Sequence, residues 1–290
     1  MATLADWVEG ARIRTLPAAA APVLVGTGAA YALDAGSVPR ALLAAGVALA
    51  LQVGVNFAND YSDGVRGTDD VRTGPPRLTG SGAARPGTVK LAAFASFGVA
   101  AMLGLVLCAL AGTWWLVAVG ALSVLAAWYY TGGRTPYGYR GLGEVGVFVF
   151  FGLVATLGTT YTQALRVSWP AVAGAVGIGL IACALLMVNN IRDIPTDSVA
   201  GKRTLAVRLG DRAARRGYVA MLVVPVVLAL VVALEHPFAL LALLVVPAVV
   251  RVSRRVLGGA AGRDLIVVLR DTGLVELGYG LLLGAGLVLG

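Results

Sequence analysis

The sequence has few charged residues and almost none of the sulfur and imidazole side chains that bind soft metals. Only 13% of its 290 residues are charged, and it contains two cysteines and one histidine. Cys108 and Cys183 both lie in apolar runs, so we expect them to be packing residues and exclude a disulfide framework or a cysteine metal site. His236 lies between two apolar runs, which argues against histidine-based catalysis.

Apolar residues dominate instead. They make up 58% of the chain, and the mean hydropathy of +0.84 is typical of a polytopic membrane protein. The N-terminus is acidic and lacks a basic stretch, so we expect no cleaved signal peptide. Runs long enough to cross about 30 Å of hydrocarbon predict an all-α bundle of nine transmembrane helices. They lie near 15–33, 41–58, 91–111, 113–130, 145–164, 169–190, 217–234, 237–251 and 272–289.

The basic residues orient this bundle. With nine spans and the N-terminus inside, 21 of the 23 lysines and arginines fall on one side, all except Arg40 and Arg166. Under the positive-inside rule that side is the cytoplasm. The net charge of +8 is then a surface that faces anionic lipid, and nucleic acid is not needed to explain it. We predict a multi-pass plasma-membrane protein whose N-terminus and polar loops form a cytoplasmic cap.

Two clusters of Asn and Asp follow apolar runs on the cytoplasmic side. They lie in "NFANDYSDG" and "NNIRDIPTDSVAGKR", at the ends of the second and sixth predicted spans. One cluster alone fits loop acids paired with arginines as well as it fits a binding site, but two in equivalent positions favour a site. The side chains spaced to share a helical face are Asn56, Asn59, Asp60 and Asp63 in the first cluster, and Asn189, Asn190, Asp193 and Asp197 in the second.

The position of these clusters also indicates an internal repeat. The clusters lie four predicted helices apart. We predict a single domain, 1–290, built from four-helix units at about 13–140 and 141–257 with a ninth helix at 272–289.

The clusters supply only oxygen ligands, which favours Mg²⁺ or Ca²⁺ over zinc or copper. Basic residues follow each cluster, and we expect Arg72, Arg77 and Lys202 to bind an anion there, although each alone is more often a positive-inside anchor than a ligand. Metal ions and fixed cations together suit a diphosphate. An apolar bundle below this site would accept a hydrocarbon tail, which predicts a polyprenyl diphosphate as a ligand.

These motifs resemble those of the UbiA superfamily of intramembrane prenyltransferases. That family carries N-D-x-x-D-x-x-x-D after its second helix and D-x-x-x-D after its sixth, matched here by Asn59-Asp60-x-x-Asp63 and Asp193-x-x-x-Asp197. The family's third Asp falls at Gly67, with Asp69 two positions later. Six fragments in order resemble the 1,4-dihydroxy-2-naphthoate prenyltransferase branch: "ARIRTLPAAAAPVLVGT", "NFANDYSDGVRGTDD", "GPPRLTGSG", "YTGGRTPYGYRGLGEV", "NNIRDIPTDSVAGKRTLAVRLG" and "LRDTGLVELGYG".

The resemblance implies transfer of a polyprenyl chain from its diphosphate to 1,4-dihydroxy-2-naphthoate, with decarboxylation to demethylmenaquinone in menaquinone biosynthesis. It implies two Mg²⁺ ions at the clusters, with Asp60, Asp63, Asp193 and Asp197 as catalytic residues and metal ligands, and Asn59 and Asn190 as further ligands. The aromatic acid would bind at the 131–144 loop. Its expected contacts are Tyr130, Arg134, Tyr137, Tyr139 and Arg140, with Arg14, Asn56 and Asp69 as weaker site candidates.

Three other functions compare with prenyl transfer to dihydroxynaphthoate. Another aromatic acceptor such as 4-hydroxybenzoate is possible, since only the resemblance fixes the acceptor. A CDP-alcohol phosphotransferase requires a D-G-x-x-A-R segment. Here Asp63-Gly64 is followed by Val65-Arg66-Gly67, so this class is rejected. An ion-coupled transporter would bury charge at mid-membrane, where Glu276 alone is a candidate.

Overall fold

A computed structural model describes residues 2–67 and 77–290, and within these ranges every regular element is helical. The elements are α1 (Leu4–Ala11), α2 (Pro17–Tyr31), α3 (Val38–Val65), α4 (Pro86–Ala111), α5 (Leu116–Tyr129), α6 (Gly143–Val147), α7 (Ala155–Ala164), α8 (Trp169–Val199), α9 (Leu205–Leu209), α10 (Asp211–Val232), α11 (Val246–Leu257) and α12 (Arg263–Leu289). A π-helical turn at Phe148–Val154 joins α6 to α7, and 3₁₀ turns lie at Ile13–Thr15, Tyr137–Arg140 and Pro237–Val245.

The all-α membrane bundle predicted from the sequence is confirmed, but the count of nine spans is not. Six helical segments of the described residues are long and apolar enough to cross a membrane: Val38–Val65, Pro86–Ala111, Gly143–Ala164, Trp169–Val199, Asp211–Val232 and Arg263–Leu289. The other predicted spans correspond to shorter helices. At about 1.5 Å per residue, the 15 residues of α2 and the 14 of α5 fall short of the hydrocarbon thickness. The predicted span 237–251 divides into a 3₁₀ turn and α11.

Local sequence explains where these helices begin. Proline lies in the first turn of α2, α3, α4 and α8, where its missing N–H is not needed. At the start of α8, the Ser168 hydroxyl accepts a hydrogen bond from the Ala171 N–H, at 3.4 Å, as a helix N-cap does. Once formed, a helix satisfies its own backbone polar groups, as a hydrocarbon environment requires.

The helix α8 is the centre of the bundle. In its most apolar 18-residue window, 72% of the residues are buried, against 33% for α3. Small residues allow close packing nearby: Gly152 of the π-helical turn packs against Gly179 of α8, as is usual for membrane helices.

Both clusters lie on helix that continues past the predicted ends of the second and sixth spans, at 58 and 190. The helix α3 continues through Asp63 to Val65, and α8 continues through Asp197 to Val199. The helical face predicted from the residue spacing is therefore extended beyond the apolar spans, and it points the polar side chains into the bundle.

Candidate active site

The ends of α3 and α8 share one cavity. Its volume is about 1010 Å³, and its lining includes Asn59, Asp60 and Asp63 of α3 and Asn190, Asp193 and Asp197 of α8. Two clusters that are far apart in sequence thus meet at one end of the cavity, which we call the polar end. Every metal ligand predicted from the sequence lines this cavity.

Asp63 is the charge centre of the polar end. Its side chain is 6% exposed, with the Arg77 Nη1 at 3.3 Å from Oδ2 and the Lys202 Nζ at 3.7 Å from Oδ1. The Tyr139 hydroxyl donates a hydrogen bond to the Asp63 Oδ1. Arg77 and Lys202 are thus paired with a buried carboxylate. When an anion binds nearby, these two side chains can contact it instead of Asp63.

Lys202 is well suited to stay charged in this setting. Burial lowers its pKa, but the Asp63 carboxylate, Tyr139 and Asp197 outweigh that effect, so the pKa of Lys202 lies above its usual value. The Lys202 Nζ also lies 4.5 Å from the centre of the Tyr139 ring, a distance typical of a cation–π contact. An ammonium group is therefore available to an anion throughout the neutral pH range.

Asp60 has a different role from that of Asp63. Its Oδ2 accepts the Leu78 N–H at 2.9 Å and its Oδ1 accepts the Thr79 N–H at 2.8 Å. Both oxygens thus anchor the backbone that directly follows Arg77. In this structure Asp60, predicted as a metal ligand, positions the loop that delivers a cation to Asp63.

The two asparagines of α3 also make structural contacts. The Asn56 Nδ2 donates to the Ala11 carbonyl at 2.9 Å and to the Thr15 hydroxyl at 3.0 Å, which fastens the N-terminal segment to α3. The Asn59 Oδ1 accepts from the Thr131 hydroxyl at 2.8 Å. Asn56 therefore shapes the cavity wall, while Asn59 ties α3 to the segment after α5.

In the second cluster, a neighbouring arginine engages the acids. Both oxygens of Asp193 accept from the Arg192 guanidinium, at 2.7 and 2.6 Å, and this guanidinium also donates to the Asn189 Oδ1 at 2.9 Å. The Asn190 Nδ2 donates to the Glu144 Oε1 at 3.1 Å, a contact that does not use the Asn190 carbonyl oxygen. Asp197 lines the cavity and is only partly buried.

The aromatic residues predicted for the acceptor site divide into two groups. Tyr130, Tyr137 and Tyr139 line the cavity, and the rings of Tyr130 and Tyr137 meet edge to face at 5.5 Å. Burial raises the pKa of Tyr137 to about 12, so its hydroxyl is a neutral donor. Arg134 and Arg140 are exposed and are not among the cavity-lining residues of the described chain.

The weaker candidates have mixed positions. Arg14 lines the cavity, but its side chain is 70% exposed and lies 3.9 Å from the Glu9 carboxylate. Asp69, and with it the predicted diphosphate ligand Arg72, lies outside the described residues.

Three cavity-lining cations were missed by the sequence reasoning: Arg12, Arg192 and Arg270. Arg192 lines the polar end and directly precedes Asp193, so its position inside the motif was a usable signal. Arg12 lines the cavity as well and acts electrostatically on Asp63. It is in the left-handed region, with φ 53°, between α1 and the following 3₁₀ turn. No sequence pattern indicates that turn of the backbone.

Beyond the polar end the cavity is apolar and long. Its lining runs along α3 from Asp63 back to Ala44, which at 1.5 Å per residue is about 28 Å. Opposite, it follows the π-helical turn and α7 from Phe150 to Thr162. We call the end near Ala44 and Thr162 the far end. The cavity can thus hold an anionic head and a long hydrocarbon tail.

The donor set fits Mg²⁺. Carboxylate and amide oxygens from both clusters face the polar end, and these are the ligands that Mg²⁺ prefers. No three acidic, histidine or cysteine side chains of the described residues form a ready-made metal cage. An Mg²⁺ ion bound there would be held by one or two carboxylates and completed by substrate phosphate oxygens and water.

Comparison with known proteins gives the family. The sequence profile of the UbiA prenyltransferase family matches residues 19–264. The chain belongs to this family. A 1,4-dihydroxy-2-naphthoate octaprenyltransferase of Mycobacterium tuberculosis is 54% identical over 290 residues, covering 100% of this chain and 99% of that protein.

Solved structures support the same fold. The apo structure of a UbiA homolog from Aeropyrum pernix K1 superposes with a TM-score of 0.72 at 16% identity, covering 96% of this chain and 98% of that one. A UbiA homolog from Archaeoglobus fulgidus bound to GPP and Mg²⁺ superposes with a TM-score of 0.66 at 13% identity, covering 98% and 100%. At these identities the likeness shows the fold, and the resemblance in the sequence motifs is confirmed at the level of the family.

Proposed function

We propose that this protein transfers a polyprenyl chain from polyprenyl diphosphate to 1,4-dihydroxy-2-naphthoate, with loss of the carboxylate, to give demethylmenaquinone for menaquinone biosynthesis. One observation carries the proposal: the acids and cations of both clusters meet at one end of a cavity that continues about 28 Å along α3. The 54% identity to a naphthoate octaprenyltransferase over the whole chain supports this choice of acceptor.

The donor diphosphate binds at the polar end. Asn59, Asp63, Asn190, Asp193 and Asp197 would hold two Mg²⁺ ions there, with Asp60 behind them. Mg²⁺ supplies positive charge that makes diphosphate a better leaving group. Arg77 and Lys202, which face Asp63 in this structure, turn to the phosphate oxygens and neutralise the charge that grows on them.

The chemistry needs no strong protein base. The bond between C1 of the isoprenoid and the diphosphate oxygen breaks, and its electron pair leaves on the diphosphate. The ring carbon that carries the carboxylate forms the new bond to C1 of the delocalised allylic cation. That carbon then loses CO₂, and the electron pair of the broken C–C bond restores the aromatic ring.

The aromatic acceptor lies beside the tyrosines. Tyr130 and Tyr137 line the cavity with their rings packed edge to face, and aromatic side chains suit a flat dihydroxynaphthoate. The carboxylate of the acceptor requires a cation nearby. Arg12 and Arg14 line the cavity, whereas Arg134 and Arg140 do not. We therefore propose that Arg12 or Arg14 binds the acceptor carboxylate.

The membrane arrangement completes the proposal. We place the polar end at the cytoplasmic face of the plasma membrane, because the basic residues of the sequence gather on that side. Counted with the residues that flank them, the shorter helices α2 and α5, together with the segment Pro237–Leu257, would then complete nine spans of a single domain. Motif-bearing α3 and α8 occupy equivalent places in its two four-helix units.

The direct test is transfer of a radiolabelled prenyl chain by the purified protein in lipid. We expect product with 1,4-dihydroxy-2-naphthoate, loss of that product with EDTA, and its return with Mg²⁺. An equal or higher rate with 4-hydroxybenzoate would reassign the acceptor. Absence of any prenyl transfer, in protein that binds the donor, would reject the enzyme proposal.

A further inference from the structure

The far half of the cavity contains glycines that face open space. A Cβ added at Gly158 of α7 would meet nothing within 4 Å, and one added at Gly104 of α4 would meet only Val47, at 3.9 Å. Both glycines line the cavity. Near the polar end the situation is reversed, because a Cβ at Gly146 would lie 2.7 Å from the Tyr137 ring. The open space beside Gly158 and Gly104 therefore belongs to the cavity and not to loose packing.

Gly158 points into the cavity because of its place on the helix. Val154 and Thr162, four residues before and after it, line the same cavity and so share its helical face. Gly158 follows Gly146 by 12 residues, which places it about 18 Å deeper along the helix axis. Gly104 lines the cavity from a different helix, α4.

At the far end of the cavity, Arg40 links α4 and α7 by hydrogen bonds. Its guanidinium donates to the Leu110 carbonyl at 2.7 Å and to the Thr162 carbonyl at 3.1 Å, which joins the ends of α4 and α7. Counting along each helix, Gly104 lies about 9 Å and Gly158 about 6 Å from these hydrogen bonds. The two glycines thus line the last part of the cavity before the Arg40 hydrogen bonds.

The length of the donor decides whether it reaches this part. The eight main-chain carbons of a geranyl group extend about 10 Å, given C–C bonds of about 1.5 Å. They end well before Gly158. The 32 main-chain carbons of an octaprenyl group extend about 40 Å by the same bond length, so such a tail passes or folds beside the glycines.

We propose that Gly158 and Gly104 set the capacity of the cavity for long prenyl chains, so that filling their space selects against long donors and spares short ones. This inference rests on the proposed prenyl transfer and adds the residues that determine donor length. The physical basis is steric: each larger side chain would occupy volume that the tail needs, far from the diphosphate and the acceptor.

The test compares two donors on one variant. Gly158→Phe is purified in lipid, and kcat/KM is measured for octaprenyl and for geranyl diphosphate with the same acceptor; where geranyl diphosphate is not turned over, its inhibition constant replaces kcat/KM. We expect the preference for the long donor to fall by at least about tenfold, with little change for geranyl diphosphate. Gly104→Phe, on α4, should shift the preference in the same direction.

Gly98→Phe is the matched control. Gly98 lies on α4, is exposed, has open space at its Cβ, and is not among the described residues that line the cavity. Its donor preference should remain that of the unmodified protein. An unchanged preference in Gly158→Phe would overturn the inference, and if that variant does not fold, an unchanged preference in Gly104→Phe would do so. Failure of the unmodified protein to use any prenyl donor would instead reject the proposed function.

Discussion

The two polar clusters have similar sequences but different surroundings. On α3, Asp60 is 1% exposed and Asp63 is 4% exposed, and their oxygens contact the loop after Arg77 and distant side chains. On α8, the Asp193 side chain is 20% exposed and its partner is its own neighbour Arg192. Asp60 and Asp63 of α3 are therefore fixed by long-range contacts, whereas Asp193 of α8 is paired with its own neighbour, a contact that a ligand can replace. In α8, Asn190 alone makes a long-range side-chain contact among the described cluster residues, to Glu144.

The largest effect is expected at Asp63. Asp63→Asn removes the charge that organises Arg77 and Lys202 and removes a proposed metal ligand, so turnover should fall by about 10²–10³-fold. Rates of prenyl transfer at saturating Mg²⁺ measure this. Asp211→Asn, at an exposed acid paired with Arg215, is the control and should keep nearly full activity. Substantial activity in Asp63→Asn would remove that residue from the site.

The Asp60→Asn variant distinguishes a positioning role of Asp60 from a role as a metal ligand. An amide at this position has only one acceptor oxygen for the Leu78 and Thr79 N–H groups, so Asp60→Asn should loosen the loop and misplace Arg77. We expect the KM for the donor to rise by about tenfold, an energy of about 1.4 kcal/mol. The half-saturating concentration of Mg²⁺ should stay the same. A large shift in that Mg²⁺ concentration would show that Asp60 is a metal ligand.

The charge of Lys202 is the next largest contribution. Lys202→Met should reduce kcat/KM for the donor by about tenfold, while Lys202→Arg keeps most of it. Because the pKa of Lys202 is raised, its charge is lost only at a pH above the usual lysine range. The donor KM of the unmodified protein should therefore show no titration of this residue between pH 6 and 9, a range set well below the ordinary lysine pKa of about 10.4. A titration in that range that is absent from Lys202→Arg would contradict the assigned charge state.

The smallest effects are expected at the two arginines that the structure places outside the cavity. Arg134→Gln and Arg140→Gln should change the KM for the naphthoate acceptor by less than about threefold, as is usual for exposed residues away from a site. Arg12→Gln should raise that KM more than either. The comparison is made by acceptor titration at constant donor. A larger effect of Arg140→Gln than of Arg12→Gln would restore the sequence-based assignment.

Much of this site was predictable because its information is local. The spacing of Asn56, Asn59, Asp60 and Asp63 predicts one helical face, and α3 carries all four on helix. The matching spacing on α8 predicts a shared location, and the cavity brings the two together. Helical periodicity is fixed by the backbone, so patterns of this kind can be read directly from the sequence.

The remaining features depend on contacts between distant residues. Asn59 bonds to Thr131, 72 positions away, and Asn56 bonds to Ala11, 45 positions away. Nothing in the local sequence indicates these contacts. The count of nine spans is not confirmed for a related reason, since hydropathy does not show where a short helix such as α5 begins and ends.

Glu276 is the acid that the sequence offered for an ion-coupled transporter, and its surroundings also depend on the fold. It lies on α12, is fully buried, and its carboxyl oxygens have no hydrogen-bond partner among the described residues. It is also absent from the described lining of the cavity. The one mid-membrane acid that suggested a transporter thus has no visible connection to a pathway through the bundle.

The central claim is that one diphosphate is held between α3 and α8, and a double-mutant cycle tests it most directly. Binding of an unreactive geranyl thiodiphosphate with Mg²⁺ is measured for the unmodified protein, Asp63→Asn, Asp193→Asn and the double variant. Because both acids serve the same ligand, the double variant should lose clearly less affinity than the product of the two single losses. Losses that multiply to within about twofold would mean that the two acids act independently, and the account of a shared site would be wrong.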